Sequence, residues 1–119
     1  MPYYRFENLE VWKLARKFVG IIHTISKDFP KEELFGLTSQ MRRAALSIML
    51  NITEGSDRKS DVEFVRFLRI SFTSLEEVVA CTYIALDQKY VSQKRFDFIY
   101  EKSNDLAKKL NALINSLKK

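Results

Sequence analysis

His23 and Cys81 carry the most reactive side chains of the chain, and each residue type occurs once. A metal site needs several such donors converging. The di-metal helical bundles use Glu-x-x-His motifs, and none is present. Glu76-Glu77 has no histidine near it in sequence. Cys81 lies among Val78, Val79, Ala80 and Thr82, with no basic neighbour to activate it. It is expected to pack as a small apolar residue rather than act as a nucleophile. His23 falls at the edge of a polar helix face and is expected on the surface. Gly20, Gly36 and Gly55 are isolated, so no glycine loop cradles a phosphate. The expectations are no enzyme, no cofactor and no metal.

Basic residues offer a different chemistry, the neutralisation of phosphates. They group as Lys13, Arg16 and Lys17; as Arg42 and Arg43; as Arg58, Lys59, Arg66 and Arg69; and as Lys108 and Lys109. The third group is the densest, although Asp57, Asp61 and Glu63 dilute it. No aromatic residue is interleaved with these bases in the manner of a stacking platform. Arg42, Arg43, Arg58, Lys59, Arg66 and Arg69 are the candidate nucleic-acid contacts.

A polar stripe stands out between Leu37 and Arg58. Gln40, Arg43, Ser47, Asn51, Glu54 and Arg58 step by three, four, four, three and four. At 3.6 residues per turn they fall within about 80° of one helix face. Leu37, Met41, Ala44, Ala45, Ile48, Met49 and Ile52 fill the opposite arc, and Leu46 and Leu50 close in beyond the stripe. A seam this narrow differs from the broad charged face of an ordinary surface helix. It suggests a hydrogen-bond network fixing helix register, or a face shared between subunits. Further along, Ile70 and Ile84 lie one heptad on either side of Glu77, away from the apolar arc of their helix. Outward isoleucines on one line suit contact with another chain. Gln40, Arg43, Ser47, Asn51, Glu54, Ile70, Glu77 and Ile84 are therefore the candidate seam or interface residues.

Four helices are needed to hold these groups. The first is expected over about 8–27, with Asn8 as its N-cap and Phe29-Pro30 as its stop. The second spans about 37–55, with Gly55 expected as a left-handed cap. The third spans about 60–88, opening on the capping box Ser60-Asp61-Val62-Glu63. The fourth spans about 92–117. In it Phe96, Ile99, Ser103, Leu106, Leu110, Leu113 and Leu117 form an uninterrupted heptad pattern. The connections are short, so consecutive helices are antiparallel neighbours. The fold class is all-α, an antiparallel up-down-up-down four-helix bundle over 1–119 as one domain.

Composition agrees. Of 119 residues, 46% are hydrophobic, enough for a core, while three Gly and two Pro are few for an all-β chain. The net charge of +5 permits an acidic partner. A single cysteine excludes an internal disulfide. Neither a basic-then-apolar leader nor a run of 18 apolar residues is present. A cytoplasmic protein with no membrane partner is expected.

Several blocks carry a resemblance. They are Phe6-Glu7-Asn8-Leu9-Glu10-Val11-Trp12, Phe35-Gly36-Leu37-Thr38-Ser39-Gln40-Met41-Arg42-Arg43-Ala44-Ala45, Ser47-Ile48, Asn51-Ile52-Thr53-Glu54-Gly55 and Glu63-Phe64-Val65-Arg66-Phe67-Leu68. Over nearly its whole length the chain resembles the bacterial four-helix-bundle family associated with intervening sequences of large-subunit ribosomal RNA genes, also called the S23 ribosomal protein family. The resemblance implies a bundle that assembles as a ring, commonly a homopentamer. That family includes the accessory variability protein of diversity-generating retroelements, a basic pentameric barrel that binds nucleic acid and works with a reverse transcriptase. The resemblance therefore implies RNA or DNA, a second copy of the chain and a reverse transcriptase as partners. Where the family carries Gly-Ser in its third helix this chain has Thr73-Ser74, and Ser71 replaces an alanine.

Two functions follow as expectations. The first is a non-enzymatic oligomeric bundle that binds RNA or DNA through basic surface residues as an accessory factor. The alternative is a structural or protein-interaction module without nucleic acid.

Overall fold

The computed structural model describes residues 3–118. Four helices, α1 (Glu10–Ser26), α2 (Leu37–Ser56), α3 (Asp61–Asp87) and α4 (Gln93–Leu117), are joined by short connections. There is no strand among the described residues. Each helix packs on its neighbours in sequence, and α4 closes back onto α1. The result is an up-down-up-down four-helix bundle measuring 43 × 24 × 24 Å.

Helical periodicity places the core. Val11, Ala15, Phe18, Ile22 and Ile25 of α1 are buried at steps of four, three, four and three. On α4 the buried set is Phe96, Ile99, Ser103, Leu106, Leu110 and Ile114. The heptad expected there breaks at its end, since Ile114 rather than Leu113 turns inward. A straight helix at 3.6 residues per turn drifts about 20° per heptad, enough to hand the last core position to the next residue.

The helix ends correct three expectations. Asn8 does not cap α1. It closes a 3-10 turn, Arg5–Asn8, and Leu9 is the N-cap without a side-chain bond. Glu7 causes this, because its Oε1 accepts the N–H groups of Tyr3 at 3.2 Å and Tyr4 at 2.9 Å. Half of the expected capping box forms on α3. Ser60 Oγ accepts from the Glu63 N–H at 3.2 Å, while the Glu63 carboxylate turns to Arg66 instead. Gly55 is not a left-handed cap. It lies within α2, whose C-cap is Asp57, and no glycine of the described residues has positive φ. The one positive φ belongs to Lys89 after α3. There the N–H of Tyr90 bonds the Ala85 carbonyl and that of Lys89 bonds Leu86, the paired bonds that close a helix end.

α2 is started by a side chain from outside it. Gly36 offers no cap, and Glu33 Oε1 takes the Leu37 N–H at 3.1 Å. The other carboxylate oxygen accepts the Tyr90 hydroxyl at 2.9 Å. The Leu37 N–H and then the Tyr90 hydroxyl hold the Glu33 carboxyl below its ordinary value. One carboxylate thus ties the start of α2 to the α3–α4 connection.

Gly55 has a packing role. A Cβ there would lie 2.7 Å from Cβ of Phe67 and 3.0 Å from Cδ1 of Phe64. Gly55→Ala would normally stabilise a helix by about 1 kcal/mol. Here the clash meets a Cβ that cannot rotate away, and overpacking of this kind costs about 1–3 kcal/mol. Urea unfolding should show a net loss in Gly55→Ala. A raised midpoint would mean that α3 gives way without cost.

Candidate functional site

The polar stripe of α2 faces α3 of the same chain. Ser47 Oγ lies 2.8 Å from Ser74 Oγ. Asn51 Nδ2 donates to the Ser47 carbonyl at 2.8 Å and to Ser47 Oγ at 3.1 Å. Ser71, fully buried, donates its hydroxyl to the Ile48 carbonyl at 2.8 Å. Gln40 Nε2 bonds Glu77 Oε2 at the rim. The helices approach over small side chains, and Ser47, Asn51, Ser71 and Ser74 find partners within the contact. The seam is a register-fixing network within the chain, wet at its ends and half-buried at Ser47 and Asn51.

Its other candidates stay outside. Arg43 and Glu54 are exposed, and the Glu54 carbonyl accepts from Arg58 Nε at 3.2 Å. Ile70 and Ile84 are exposed to 39% and 49%, on the α3 flank beside Glu77. Leu46 and Leu50 of α2 are exposed to 44% and 52%. Thr73 also points out, with Oγ1 turned back to the Arg69 carbonyl, so it does not loosen the α2–α3 contact. Ser71 and Ser74 are the members of that stretch that tighten it.

The basic candidates divide. Arg42 is partly structural, since Nε donates to Ser26 Oγ at 2.8 Å and Nη2 to the His23 carbonyl at 3.3 Å. Arg58 and Arg66 stand over the Phe67 ring at 5.4 and 4.7 Å. Phe67 is buried beneath them, so these rings seat arginines. Arg66 is also paired with Glu63 at 3.2 Å, while Lys59 and Arg69 are exposed. Lys109 pairs with Glu10.

A pattern missed in the residue grouping appears once helices are assigned to faces. Residues 11–27 hold Lys13, Arg16, Lys17 and Lys27 and no carboxylate, and residues 34–53 hold Arg42 and Arg43 and no carboxylate. α1 and α2 are neighbours, so the two segments run side by side, although Lys17 also borders Asp105 of α4 and Arg43 lies on the α2 stripe turned towards α3. Residues 70–88 of α3 show the opposite, with Glu76, Glu77 and Asp87 and no Lys or Arg. Counting acids along each helix, rather than bases alone, would have found both.

Reactive groups fit their bland expectations in position. Cys81 is buried, and burial, with the nearby Glu77 charge, pushes its thiol up and keeps it protonated. His23 is exposed. Among the described residues no three His, Cys, Asp or Glu converge as metal ligands, and no helix is long and apolar enough to cross a membrane.

A family model described as 23S rRNA-intervening sequence protein matches residues 7–112. No curated protein matches the chain. Among solved structures, the chain is similar to a protein of unknown function from the S23 ribosomal protein family of Bacteroides thetaiotaomicron. That similarity has 22% identity, covers 87% of this chain and 97% of the other, and has a TM-score of 0.81. At this identity the likeness establishes the all-helical fold alone.

The seam makes a sharp prediction. Asn51→Leu removes both bonds to Ser47 and leaves the Ser47–Ser74 pair without its third member. Stability measured by urea unfolding should fall by about 1 kcal/mol. An unchanged midpoint would show that Asn51 is merely solvated.

Proposed function

This chain belongs to the 23S rRNA-intervening sequence protein family, and on that premise we propose that it is a non-enzymatic homo-oligomer that binds RNA or DNA as an accessory factor. The observation that carries the reading is the segregation of charge just described. A single chain bears two neighbouring helical stretches of cations without acids and a third stretch of acids without cations. Such a chain is complementary to its own copy in a head-to-tail sense. Contacts of that kind close into a ring when the rotation permits. The exposed Ile70 and Ile84 supply apolar area beside the acidic stretch of α3. The ring of five subunits implied by the family resemblance is the assembly proposed.

Nucleic acid enters through the surplus. The three carboxylates of residues 70–88 cannot neutralise the six cations of residues 11–27 and 34–53. Assembly leaves the net charge untouched, so each copy brings +5 to the whole. Repeating a cationic surface around a ring turns weak phosphate contacts into useful avidity. A reverse transcriptase is the protein partner that the same resemblance implies.

Fluorescence anisotropy of a labelled structured RNA, at low and at moderate salt, tests this directly. Binding should be micromolar or tighter and should weaken steeply with salt. Charge reversal at Lys13, Lys17 and Arg43 should cost more affinity than reversal at Arg58, Lys59 and Arg69, whose surroundings are acidic. Each lost phosphate contact should also reduce the salt slope by about one. Absence of binding at low salt would leave the basic surface without a nucleic-acid role.

A further inference from the structure

The segment before α1 folds against the far end of α2. Arg5 Nη1 donates to the Ser56 carbonyl at 3.0 Å, and the guanidinium sits over the Phe64 ring at 5.1 Å. Glu7 fixes the backbone of Tyr3 and Tyr4, as described above. A concavity of about 300 Å³ results, lined by Tyr4, Arg5 and Phe6 on one side and by Thr53, Glu54, Ser56, Asp57 and Arg58 on the other.

An aromatic ladder rises beside it. Trp12 anchors the inner end, donating Nε1–H to Thr53 Oγ1 at 2.9 Å. Phe6 packs on Trp12 with ring centres 4.8 Å apart. Tyr4 stacks on Phe6 at 5.7 Å and 18°, and Tyr3 meets Tyr4 edge-on at 5.0 Å. Tyr3 and Tyr4 expose 87% and 59% of their surface. The inner rings are held and the outer rings are bare. Folding thus places aromatics next to Arg5 and Arg58, an interleaving that the linear sequence does not show.

Charge here is balanced. Arg5, Arg58, Lys59, Arg66 and Arg69 are matched in number by Glu7, Glu54, Asp57, Asp61 and Glu63. Glu7 is committed to backbone N–H groups and Glu63 to Arg66. Glu54 and Asp57 line the concavity and are exposed. A balanced surface is a poor phosphate sink. It suits recognition of a base, which needs a ring to stack on and acceptors for exocyclic amino groups.

We infer that this end of the bundle binds an unpaired nucleotide of a single-stranded nucleic acid. The base stacks on Tyr4 with Tyr3 beside it, its amino edge meets Glu54 and Asp57, and the adjoining phosphate meets Arg58. The inference rests on the nucleic-acid reading above and adds the class of ligand and the place.

The test titrates labelled short single strands of RNA and of DNA, and a blunt duplex, with the full chain. Tyr3→Ala/Tyr4→Ala should weaken single-strand binding about tenfold, by a similar factor at low and at moderate salt. Duplex binding should not change. Tyr4→Trp, which keeps a stacking ring, should retain affinity and guards against a mere folding defect in the double variant. The strand held more tightly by the wild type, and released in the double variant, identifies the ligand as RNA or DNA. Wild-type affinity of the double variant for both single strands would overturn the inference while leaving nucleic-acid binding elsewhere intact. Failure of the wild type to bind any of the three would overturn both.

Discussion

The close approach of α2 to α3 is the constraint on which the rest depends. Two helices come near only where side chains are small. Here Gly55 accommodates Phe64 and Phe67, and Ser47, Ser71 and Ser74 occupy the contact beyond. Serines at such a contact must be satisfied, because an unpaired buried hydroxyl costs about 1–3 kcal/mol. Ser71 and Ser74 solve this with the Ile48 carbonyl and Ser47, and Asn51 completes the set. Shifting α3 by one residue would break these bonds together. The network therefore fixes register as well as distance.

Fixed register decides what the surface shows. With Ser71 and Ser74 turned in, Ile70, Thr73, Glu77 and Ile84 are turned towards solvent. The base-free run of α3 then turns Glu77 to Gln40 of α2 and Glu76 to the groove against α4. On the other side, Trp12–Thr53 and Arg42–Ser26 tie α1 to α2 and set the acid-free segments of both side by side. Segregated charge is thus composed locally along each stretch, and packing sets the stretches side by side. The same α2 terminus that holds Gly55 also receives Arg5, so the aromatic ladder and the tightest helix contact share one end.

Much of this was legible in the sequence. The bundle, its connections and most of its core follow from apolar spacing. The seam was visible in Gln40, Ser47 and Asn51, because polar residues at helical spacing between apolar flanks have no simple surface explanation. What spacing does not contain is the partner. Whether Ser47 faced Ser74 of the same chain or another subunit depends on how helices close in space. Gly55 departs from the cap expected of it for a related reason, since a glycine near a helix end signals a cap unless a ring from elsewhere occupies the space of its missing Cβ. Asn8 gave way to Glu7, whose carboxylate reaches back to Tyr3 and Tyr4 and folds the chain before α1 begins. The meeting of Tyr4 with Arg58 joins residues too distant for any local pattern to record.

The family assignment and the bundle stand on the match over residues 7–112 and on the packing itself. In the function proposed, assembly would convert a small basic bundle into a multivalent surface, so it is the claim to test. Light scattering of the purified chain on a sizing column measures its mass in solution. The account predicts a single species at a multiple of 14.0 kDa, five-fold for the ring proposed, reduced towards the monomer when Ile70 and Ile84 are replaced by lysine. A wild-type chain that elutes at 14.0 kDa across a wide concentration range would contradict it.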